Sequence, residues 1–223
     1  MPELVLSGPA GRLETRYQPA RVDNAPVALI LHPHPQHGGT MHNKVVYTLF
    51  HAFVRSGFAA LRFNFRGVGR SQGSYSGGEG ELADAQAALD WLQQNNPDSP
   101  QCWIAGFSFG AWIALQLLAR RPESSGFVAV APPVNLADFS FLTRSPAPGL
   151  IVQGDQDQVV APEAVKELAA RLQKLHQPVI EFTMVPGADH FFYTKLDALA
   201  ATVERYIAKR LKARELVPAR VAR

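Results

Sequence analysis

The sequence contains a single cysteine and lacks a long hydrophobic run. With Cys102 alone, no disulfide can form within the 223 residues, which favours a reducing compartment. No apolar stretch approaches the roughly 18–20 residues that a membrane-spanning helix needs. The first residues, MPELVLSGPAGRLE, lack a basic segment followed by an apolar core, so a signal peptide is not expected. These absences predict a cytoplasmic protein that does not cross a membrane.

Internal repeats and linker-like segments are also missing from the sequence. Hydrophobic residues make up 47% of the chain and charged residues 18%, which is ordinary for a globular protein. The 17 glycines and 17 prolines are scattered and therefore indicate turns, not low complexity. We predict one domain over residues 1–223, with a basic C-terminal tail from about residue 209.

Positive charge is concentrated in that tail. Residues 209–223, KRLKARELVPARVAR, hold six lysines and arginines and one glutamate, a net charge of +5, so the remainder carries −2 within a total of +3. A basic tail can bind nucleic acid or acidic lipid. Because no basic patch elsewhere in the sequence extends it, a solvated helix end is the preferred interpretation, and neither nucleic-acid nor membrane binding is predicted.

Short apolar segments alternate with longer amphipathic ones from residue 27 onward. Continuous apolar runs rich in β-branched and aromatic residues are typical of parallel strands that are buried on both faces. The predicted strands are VALIL (27–31), AALRFNF (59–65), CWIAGF (102–107), FVAVA (127–131), GLIVQG (149–154) and VIEFTMV (179–185). The predicted helices are 43–56, 80–95, 109–121, 163–175 and 195–213.

This alternation predicts the α/β class, with a mostly parallel, doubly wound sheet. The N-terminal segments LVLSG and LETRYQ, separated by a turn with Gly8, Pro9 and Gly11, predict an antiparallel hairpin at one edge. In such sheets ligands bind beyond the carboxyl ends of the strands. The loops that follow the strands are therefore where functional residues are expected.

The end of the third of these strands runs into the pattern G-x-S-x-G, here GFSFG. Between a strand and a helix, this pattern is typical of a nucleophile elbow. Glycines two positions on either side of Ser108 avoid side chains that would collide with neighbouring backbone. Ser108 is therefore the predicted nucleophile, and an ordinary serine in a tight turn is the alternative.

A serine nucleophile needs a base, and the base needs an acid that orients it. In this architecture the order along the chain is serine, acid, histidine. The loop GDQDQVV after one strand holds Asp155 and Asp157, and the loop PGADHFF after the next holds His190. Asp157 is the preferred acid because it stands three residues past Gly154 and can reach inward. Asp155 adjoins the strand end and is expected to brace the turn.

Five segments of the sequence resemble the α/β-hydrolase superfamily, in particular its small lidless members of the dienelactone-hydrolase-like or esterase-like kind. These segments are HPHPQHGGTMHNKVV (32–46), LRFNFRGVGRSQG (61–73), GFSFG (106–110), GDQDQVV (154–160) and PGADHFF (186–192). The resemblance covers nearly the whole chain and implies that Ser108 is the nucleophile, Asp157 the acid and His190 the base. Dienelactone hydrolases use cysteine as nucleophile, so the serine of this chain favours an esterase with ester substrates. The family often has aspartate where this chain has Asn64, a departure expected to affect loop bracing.

The resemblance also implies where an oxyanion would bind. One donor is the backbone N–H of the residue after the nucleophile, Phe109, and the other comes from the loop HPHPQHGG after the strand VALIL. Proline has no N–H, which excludes Pro33 and Pro35. His34 is then the preferred second donor, with Gln36 as the alternative.

The same loop permits a different interpretation, because His32, His34 and His37 form an H-x-H-x-x-H array and imidazole is a common metal ligand. The array resembles the zinc motif H-x-H-x-D-H of metallo-β-lactamase-like hydrolases. Gln36, however, stands where that motif has aspartate, and the α/β alternation with its elbow belongs to the other fold. We therefore expect no metal at this loop.

Only about 17 residues separate Ala131 from Gly149, too few for a helical lid over the site. An open site is therefore expected. Its apolar wall could be formed by phenylalanines, although core packing is the expected role of each one singly. The candidates are Phe107, Phe109, Phe139, Phe141, Phe191 and Phe192.

Taken together, the sequence predicts a serine hydrolase, and most specifically a carboxylesterase that acts on small or exposed acyl esters. No cofactor is implied, the expected partner is a small-molecule ester, and the oligomeric state stays open. A thioesterase or peptidase with the same triad is the alternative among enzymes. From another class, the alternative is a non-catalytic interaction module on a hydrolase scaffold, with the basic tail as a docking arm.

Overall fold

The strands and helices come from a computed structural model, which describes residues 3–143, 145, 147–174 and 179–215. The strands are β1 (Glu3–Gly8), β2 (Gly11–Gln18), β3 (Val27–Leu31), β4 (Ala59–Phe63), β5 (Cys102–Phe107), β6 (Gly126–Val130), β7 (Gly149–Gly154) and β8 (Ile180–Val185). The helices are α1 (Lys44–Arg55), α2 (Glu79–Gln94), α3 (Phe109–Arg120), α4 (Pro162–Gln173) and α5 (Leu196–Glu215), with a short 3-10 turn at Pro35–His37.

The eight strands form one sheet in the order β1-β2-β4-β3-β5-β6-β7-β8. The six strands from β3 to β8 pair in parallel, and β1 and β2 add an antiparallel edge. This topology confirms the fold class predicted from the sequence. It also brings the loops after β3, β5, β7 and β8 to the same edge of the sheet.

Helices cover both faces of the sheet. On one face α1 and α5 pack over the fully buried Trp103, whose ring contacts Phe53, Phe58 and Tyr206. On the other face α2, α3 and α4 cover a second cluster that includes Leu89. Because both faces are covered, the central strands β3 to β7 are buried throughout, which explains their uninterrupted apolar sequences.

Helix α1 follows the histidine-rich loop and shows how local sequence fixes the start of an element. The side-chain oxygen of Asn43 accepts the backbone N–H groups of Val45 (2.9 Å) and Val46 (3.4 Å). Such a cap stabilises a helix by about 1 kcal/mol. Gly57, at φ +90°, ends the helical segment in a conformation that favours glycine.

Element boundaries differ from those predicted by at most two residues. Strand β4 ends at Phe63, two residues earlier than predicted. The backbone N–H of Asn64 still donates to the Glu14 carbonyl on β2 at 2.8 Å, but that of Phe65 donates to the His32 side chain and so leaves the sheet. Helix α5 continues to Glu215 and so includes the first part of the predicted basic tail. The rest of that tail, residues 216–223, lies outside the described residues.

The connection from β6 to β7 contains no helix in its described part, residues 131–143, 145 and 147–148. The carboxyl edge of the sheet is therefore not covered by a helical lid at this point, as the short segment predicted. None of the described helices is both long enough and apolar enough to span a bilayer.

Candidate active site

Ser108 lies in the turn between β5 and α3, with φ 52° and ψ −120°. A serine at positive φ is uncommon, and such backbone strain costs on the order of 1–3 kcal/mol. The turn is also crowded: a Cβ atom at Gly106 would overlap the carbonyl of Gly110, and one at Gly110 would overlap the carbonyls of Leu31 and His32. Both flanking positions therefore require glycine, which is the physical basis of the G-x-S-x-G pattern.

The structure brings the three residues predicted from separate loops into hydrogen-bonding distance. His190 Nε2 lies 3.2 Å from Ser108 Oγ, and His190 Nδ1 lies 2.7 Å from Asp157 Oδ2. Since a carboxylate can only accept, Nδ1–H donates to Asp157. The lone pair of Nε2 then faces the Ser108 hydroxyl, which is the arrangement that general-base removal of its proton requires.

Asp157 is held rigidly and kept ionised by its surroundings. Oδ1 accepts the backbone N–H groups of Val159 and Val160, both at 2.8 Å, and Oδ2 also accepts the side-chain amide of Gln153 at 2.9 Å. Burial of the side chain opposes ionisation. The hydrogen bond from His190 and those from the two backbone groups outweigh it, and the pKa of Asp157 is lowered.

Asp155 occupies a different position. Its side chain is exposed, and Oδ1 accepts the backbone N–H of Gly187 at 2.6 Å. Asp155 thus ties the loop after β7 to the loop after β8. Both ring nitrogens of His190 already have other partners, so Asp155 braces the loop that carries His190 without touching its ring.

The backbone N–H groups of Phe109 and His34 belong to the wall of the same cavity as Ser108 and are among those that donate to no acceptor in the described part of the chain. Phe109 is the first residue of α3, where backbone N–H groups lack helical partners and the helix dipole attracts negative charge. The alternative donor, the N–H of Gln36, instead donates to His34 Nδ1 at 3.2 Å. Of the two donors considered for this loop, His34 is therefore the one left available.

The three histidines of the loop do not converge. His32 is fully buried, with Nδ1 2.6 Å from the Pro33 carbonyl and Nε2 accepting the N–H of Phe65 at 3.0 Å. Burial lowers the pKa of His32 to about 3, so its ring is neutral. Over the part of the chain that the structure describes, no group of three histidine, cysteine or acidic side chains is placed to hold a metal ion. His32 hydrogen-bonds the backbone of its own loop and that of Phe65, while the rings of His34 and His37 pack against each other at a tilt, with centroids 4.6 Å apart.

A cavity of about 820 Å³ opens above Ser108 and His190. This volume is in the range of sites for small molecules. Four large hydrophobic residues in its wall are each more than one-third exposed to solvent. A cluster of exposed apolar residues indicates a ligand site, whereas single exposed apolar residues are common on protein surfaces. The four are Leu136 (66%), Val159 (46%), Phe191 (37%) and Tyr193 (60%).

The phenylalanines considered from the sequence divide between this wall and the core. Phe109 and Phe191 line the cavity. Phe107, Phe139 and Phe192 are buried, and Phe141 packs against the core cluster on the side of α2 to α4. Phe191 and Phe192 are adjacent in the chain, yet the first lines the cavity and the second lies in the core, a difference that their shared residue type could not reveal.

Three aromatic residues of the cavity wall were not predicted from the sequence, Tyr75, Trp112 and Tyr193. Trp112, on the first turn of α3, donates its indole N–H to the Asp138 carbonyl at 2.8 Å. Tyr75, in the loop between β4 and α2, places its hydroxyl 3.1 Å from His34 Nε2. The available signal for Tyr75 was an aromatic residue among glycines and serines, GSYSGG, shortly after a strand end.

Asn64, the departure from the family pattern, lies outside the cavity and links the loop that contains Met41 to strand β2. Its Oδ1 accepts the Met41 N–H at 2.8 Å, and its Nδ2 donates to Glu14 Oε2 at 2.8 Å. An aspartate would set two carboxylates against each other here. The glutamate on β2 therefore explains why an amide stands at position 64.

Comparisons with known proteins identify the family of this chain. The family model of X-Pro dipeptidyl-peptidases (S15 family) matches residues 12–142, and that of the prolyl oligopeptidase family matches residues 135–214. An uncharacterised protein of Rickettsia prowazekii (strain Madrid E) is 50% identical over 211 residues, which cover 93% of this chain and 89% of that protein.

Solved structures extend the likeness to the whole fold. A protein of unknown function from Agrobacterium tumefaciens is 53% identical with a TM-score of 0.91, and the match covers 98% of this chain and all of the other. A serine hydrolase without a lid from Xanthomonas campestris is 34% identical with a TM-score of 0.84, over 98% and 95% of the two chains. The chain therefore belongs to the α/β-hydrolase superfamily, among its serine hydrolases, which confirms the class that the sequence motifs predicted.

Proposed function

We propose that this serine hydrolase is a carboxylesterase, with Ser108 as nucleophile, His190 as general base and Asp157 as the acid that orients it. The observation that carries the proposal is the continuous hydrogen-bonded chain from Asp157 through His190 to Ser108 at the floor of an apolar cavity. Each of the three stands at the end of a rigid strand, so their geometry is fixed before substrate binds.

In the proposed reaction, Ser108 Oγ attacks the ester carbonyl carbon while its proton passes to His190 Nε2. Asp157, whose pKa is lowered, stabilises the imidazolium that forms. The tetrahedral intermediate then collapses, the alcohol leaves with the proton from His190, and an acyl-enzyme remains on Ser108. Water, activated by His190 in the same way, releases the acid and restores the serine.

The negative charge of the tetrahedral intermediate would be stabilised by the backbone N–H groups of Phe109 and His34. Their lack of acceptors among the described residues supports this assignment, because such donors are aimed in advance at the charge that develops. The positive end of the α3 dipole acts in the same direction.

A peptidase is the second candidate, because both matching family models are peptidase families. A peptidase that acts from the amino terminus needs a carboxylate pair or a cap that captures the free amino group. Among the residues in the cavity wall, Asp138 is the only acidic one, and its carboxylate is occupied by the backbone N–H and the hydroxyl of Ser140. This favours esters, with small or exposed acyl groups as the class suited to an open cavity.

The proposal is tested by comparing ester, thioester and peptide substrates on wild type and Ser108→Ala. We expect ester hydrolysis in wild type, its loss by roughly 10⁴–10⁶ in kcat in Ser108→Ala, and one fluorophosphonate adduct on Ser108 only. Ser56→Ala, at the end of α1, is the matched control and should behave as wild type. Near-wild-type activity of Ser108→Ala would refute the mechanism, and turnover of peptides without esters would favour the peptidase.

A further inference from the structure

The side chain of His34 has one defined protonation state in this structure. Its Nδ1 accepts the backbone N–H of Gln36 at 3.2 Å and therefore carries no proton. Burial and the nearby His37 lower the pKa of His34, while Glu81 opposes them, so the ring is neutral near pH 7. A neutral imidazole with a free Nδ1 carries its proton on Nε2. The tautomer thus follows from the hydrogen-bond network.

This tautomer decides the direction of the next hydrogen bond. His34 Nε2 lies 3.1 Å from the hydroxyl oxygen of Tyr75, so His34 donates and Tyr75 accepts. The hydrogen of the Tyr75 hydroxyl is not used in this contact. No other hydrogen bond of that hydroxyl is formed among the residues that the structure describes. Burial and the nearby Glu81 raise the pKa of Tyr75, which keeps the hydroxyl protonated.

Tyr75 lies in the wall of the cavity that holds Ser108. Its ring packs beside His34 at 5.0 Å and beside Phe109 at 6.1 Å, the two residues that carry the proposed oxyanion donors. All three line the cavity above Ser108. The neighbouring indole of Trp112 has its only donor committed to the Asp138 carbonyl. Tyr75 therefore offers a free O–H in the wall of the same cavity as Ser108, beside the two residues that carry the proposed oxyanion donors.

We infer that Tyr75 is a specificity-determining residue, which donates a hydrogen bond to an oxygen acceptor of the substrate other than the scissile carbonyl. The inference rests on the proposed ester hydrolysis and narrows its substrate class to esters with an ether, hydroxyl or carbonyl oxygen a few bonds from the ester group. A substrate without that acceptor leaves the O–H of Tyr75 unpaired in a partly desolvated cavity, which is the usual source of strong discrimination by hydrogen bonding.

The test uses two pairs of esters that differ by one oxygen in place of a methylene group. On the acyl side, 4-nitrophenyl methoxyacetate is compared with 4-nitrophenyl butyrate. On the alcohol side, 2-methoxyethyl butyrate is compared with butyl butyrate. The quantity measured is the ratio of kcat/KM between Tyr75→Phe and wild type for each ester. Because each ester serves as its own reference, differences in intrinsic reactivity cancel.

We expect Tyr75→Phe to lower kcat/KM about 3- to 10-fold for the ether member of one pair and to leave its hydrocarbon partner nearly unchanged. The pair that responds tells whether the acceptor lies in the acyl or the alcohol part. Tyr17→Phe is the matched control, since it removes a hydroxyl that donates to Asn96 Oδ1 at 3.0 Å, on a strand outside the cavity wall. It should change neither member of either pair.

Equal losses on both members, or no loss in either pair, would overturn the inference. Thermal unfolding and fluorophosphonate labelling establish that Tyr75→Phe is folded. If it is not, His34→Ala provides the second variant: removing the donor to Tyr75 frees its hydroxyl to rotate, so the preference for the ether ester should fall there as well. If wild type hydrolyses none of the four esters, or Ser108→Ala still does, the proposed function fails and the inference fails with it.

Discussion

Low pH should destabilise the folded protein through His32, whose ring hydrogen-bonds the backbone of the histidine-rich loop and of Phe65. The ring is fully buried, and both of its nitrogens bind backbone groups, Nδ1 to the Pro33 carbonyl and Nε2 to the N–H of Phe65. A proton on Nε2 would place two donors against each other at that contact. The folded state therefore favours the neutral form of the His32 ring, and burial lowers the pKa of His32 from 6.5 to about 3.

The magnitude follows from linkage between proton binding and folding. Between pH 6.5 and about 3 the unfolded chain protonates His32 and the folded chain does not. The contribution of the neutral ring is fully present above pH 6.5 and is lost as the pH falls, by about 1.4 kcal/mol per pH unit. Over the whole interval this amounts to roughly 5 kcal/mol, a large part of the stability of an ordinary domain.

Urea unfolding of wild type and His32→Gln at pH 7, 6, 5 and 4 measures this contribution. Glutamine also offers one donor and one acceptor but does not titrate. The difference in unfolding free energy between the two proteins should shrink by about 1.4 kcal/mol for each pH unit below 6.5. His42→Gln, which replaces an exposed histidine, serves as the control and should follow the wild-type dependence.

Two results would refute this reasoning. One is a constant difference between wild type and His32→Gln from pH 7 to 4, since another group would then cause any loss of stability. The other is an NMR titration of the His32 ring with a midpoint near 6.5 in the folded protein. Either result would mean that the ring is accessible to protons and does not hold the loop in the way described.

Three further predictions concern the site and its supports. Asp157→Asn should lower kcat on the order of 10⁴ by favouring the wrong His190 tautomer, whereas Asp155→Asn should act mainly on thermal stability; reversed effects in steady-state kinetics and melting curves would reverse the assignment. His34→Pro should lower kcat about 10²–10³ relative to His34→Ala. The φ angle of −53° at this position suits proline, so the two variants differ mainly in the backbone N–H that proline lacks. Equal kcat values in the two folded variants would exclude the His34 N–H as an oxyanion donor. Asn64→Asp should lower the unfolding free energy by about 1–3 kcal/mol by facing Glu14, and Glu14→Gln added to it should restore most of the loss; a double variant as unstable as the single one would contradict that contact.

Much of the fold could be predicted from the sequence because its signals are local. Runs such as VALIL and CWIAGF are apolar throughout, since a strand covered on both faces has no solvent side to mark with polar residues. The nucleophile elbow at Ser108 could be predicted from the sequence equally well. Its strained turn has no room for a side chain at position 106 or 110, so both positions must be glycine and the requirement is visible in the sequence.

The choice between alternatives in one loop needed the tertiary structure. Asp155 and Asp157 stand two residues apart and share one chemistry, yet one binds the N–H of Gly187 and the other His190. Similarly, His34 and Gln36 both retain a backbone N–H, and only the contact of Gln36 with the His34 ring distinguishes them. The direction in which a loop points its side chains depends on partners from distant parts of the chain.

The sequence by itself determined the order of strands and helices along the chain and the glycine-flanked serine, because each depends on neighbours along the chain. It also determined the shortness of the connection from β6 to β7, whose described residues form no helical lid. Only the tertiary structure decided which side chains meet at the carboxyl edge of the sheet. Tyr75 and His34 are 41 residues apart, and their hydrogen bond exists because β3 and β4 are parallel neighbours whose following loops fold onto the same edge. Such contacts arise from strand pairing across the sheet, and no local pattern in the sequence encodes them.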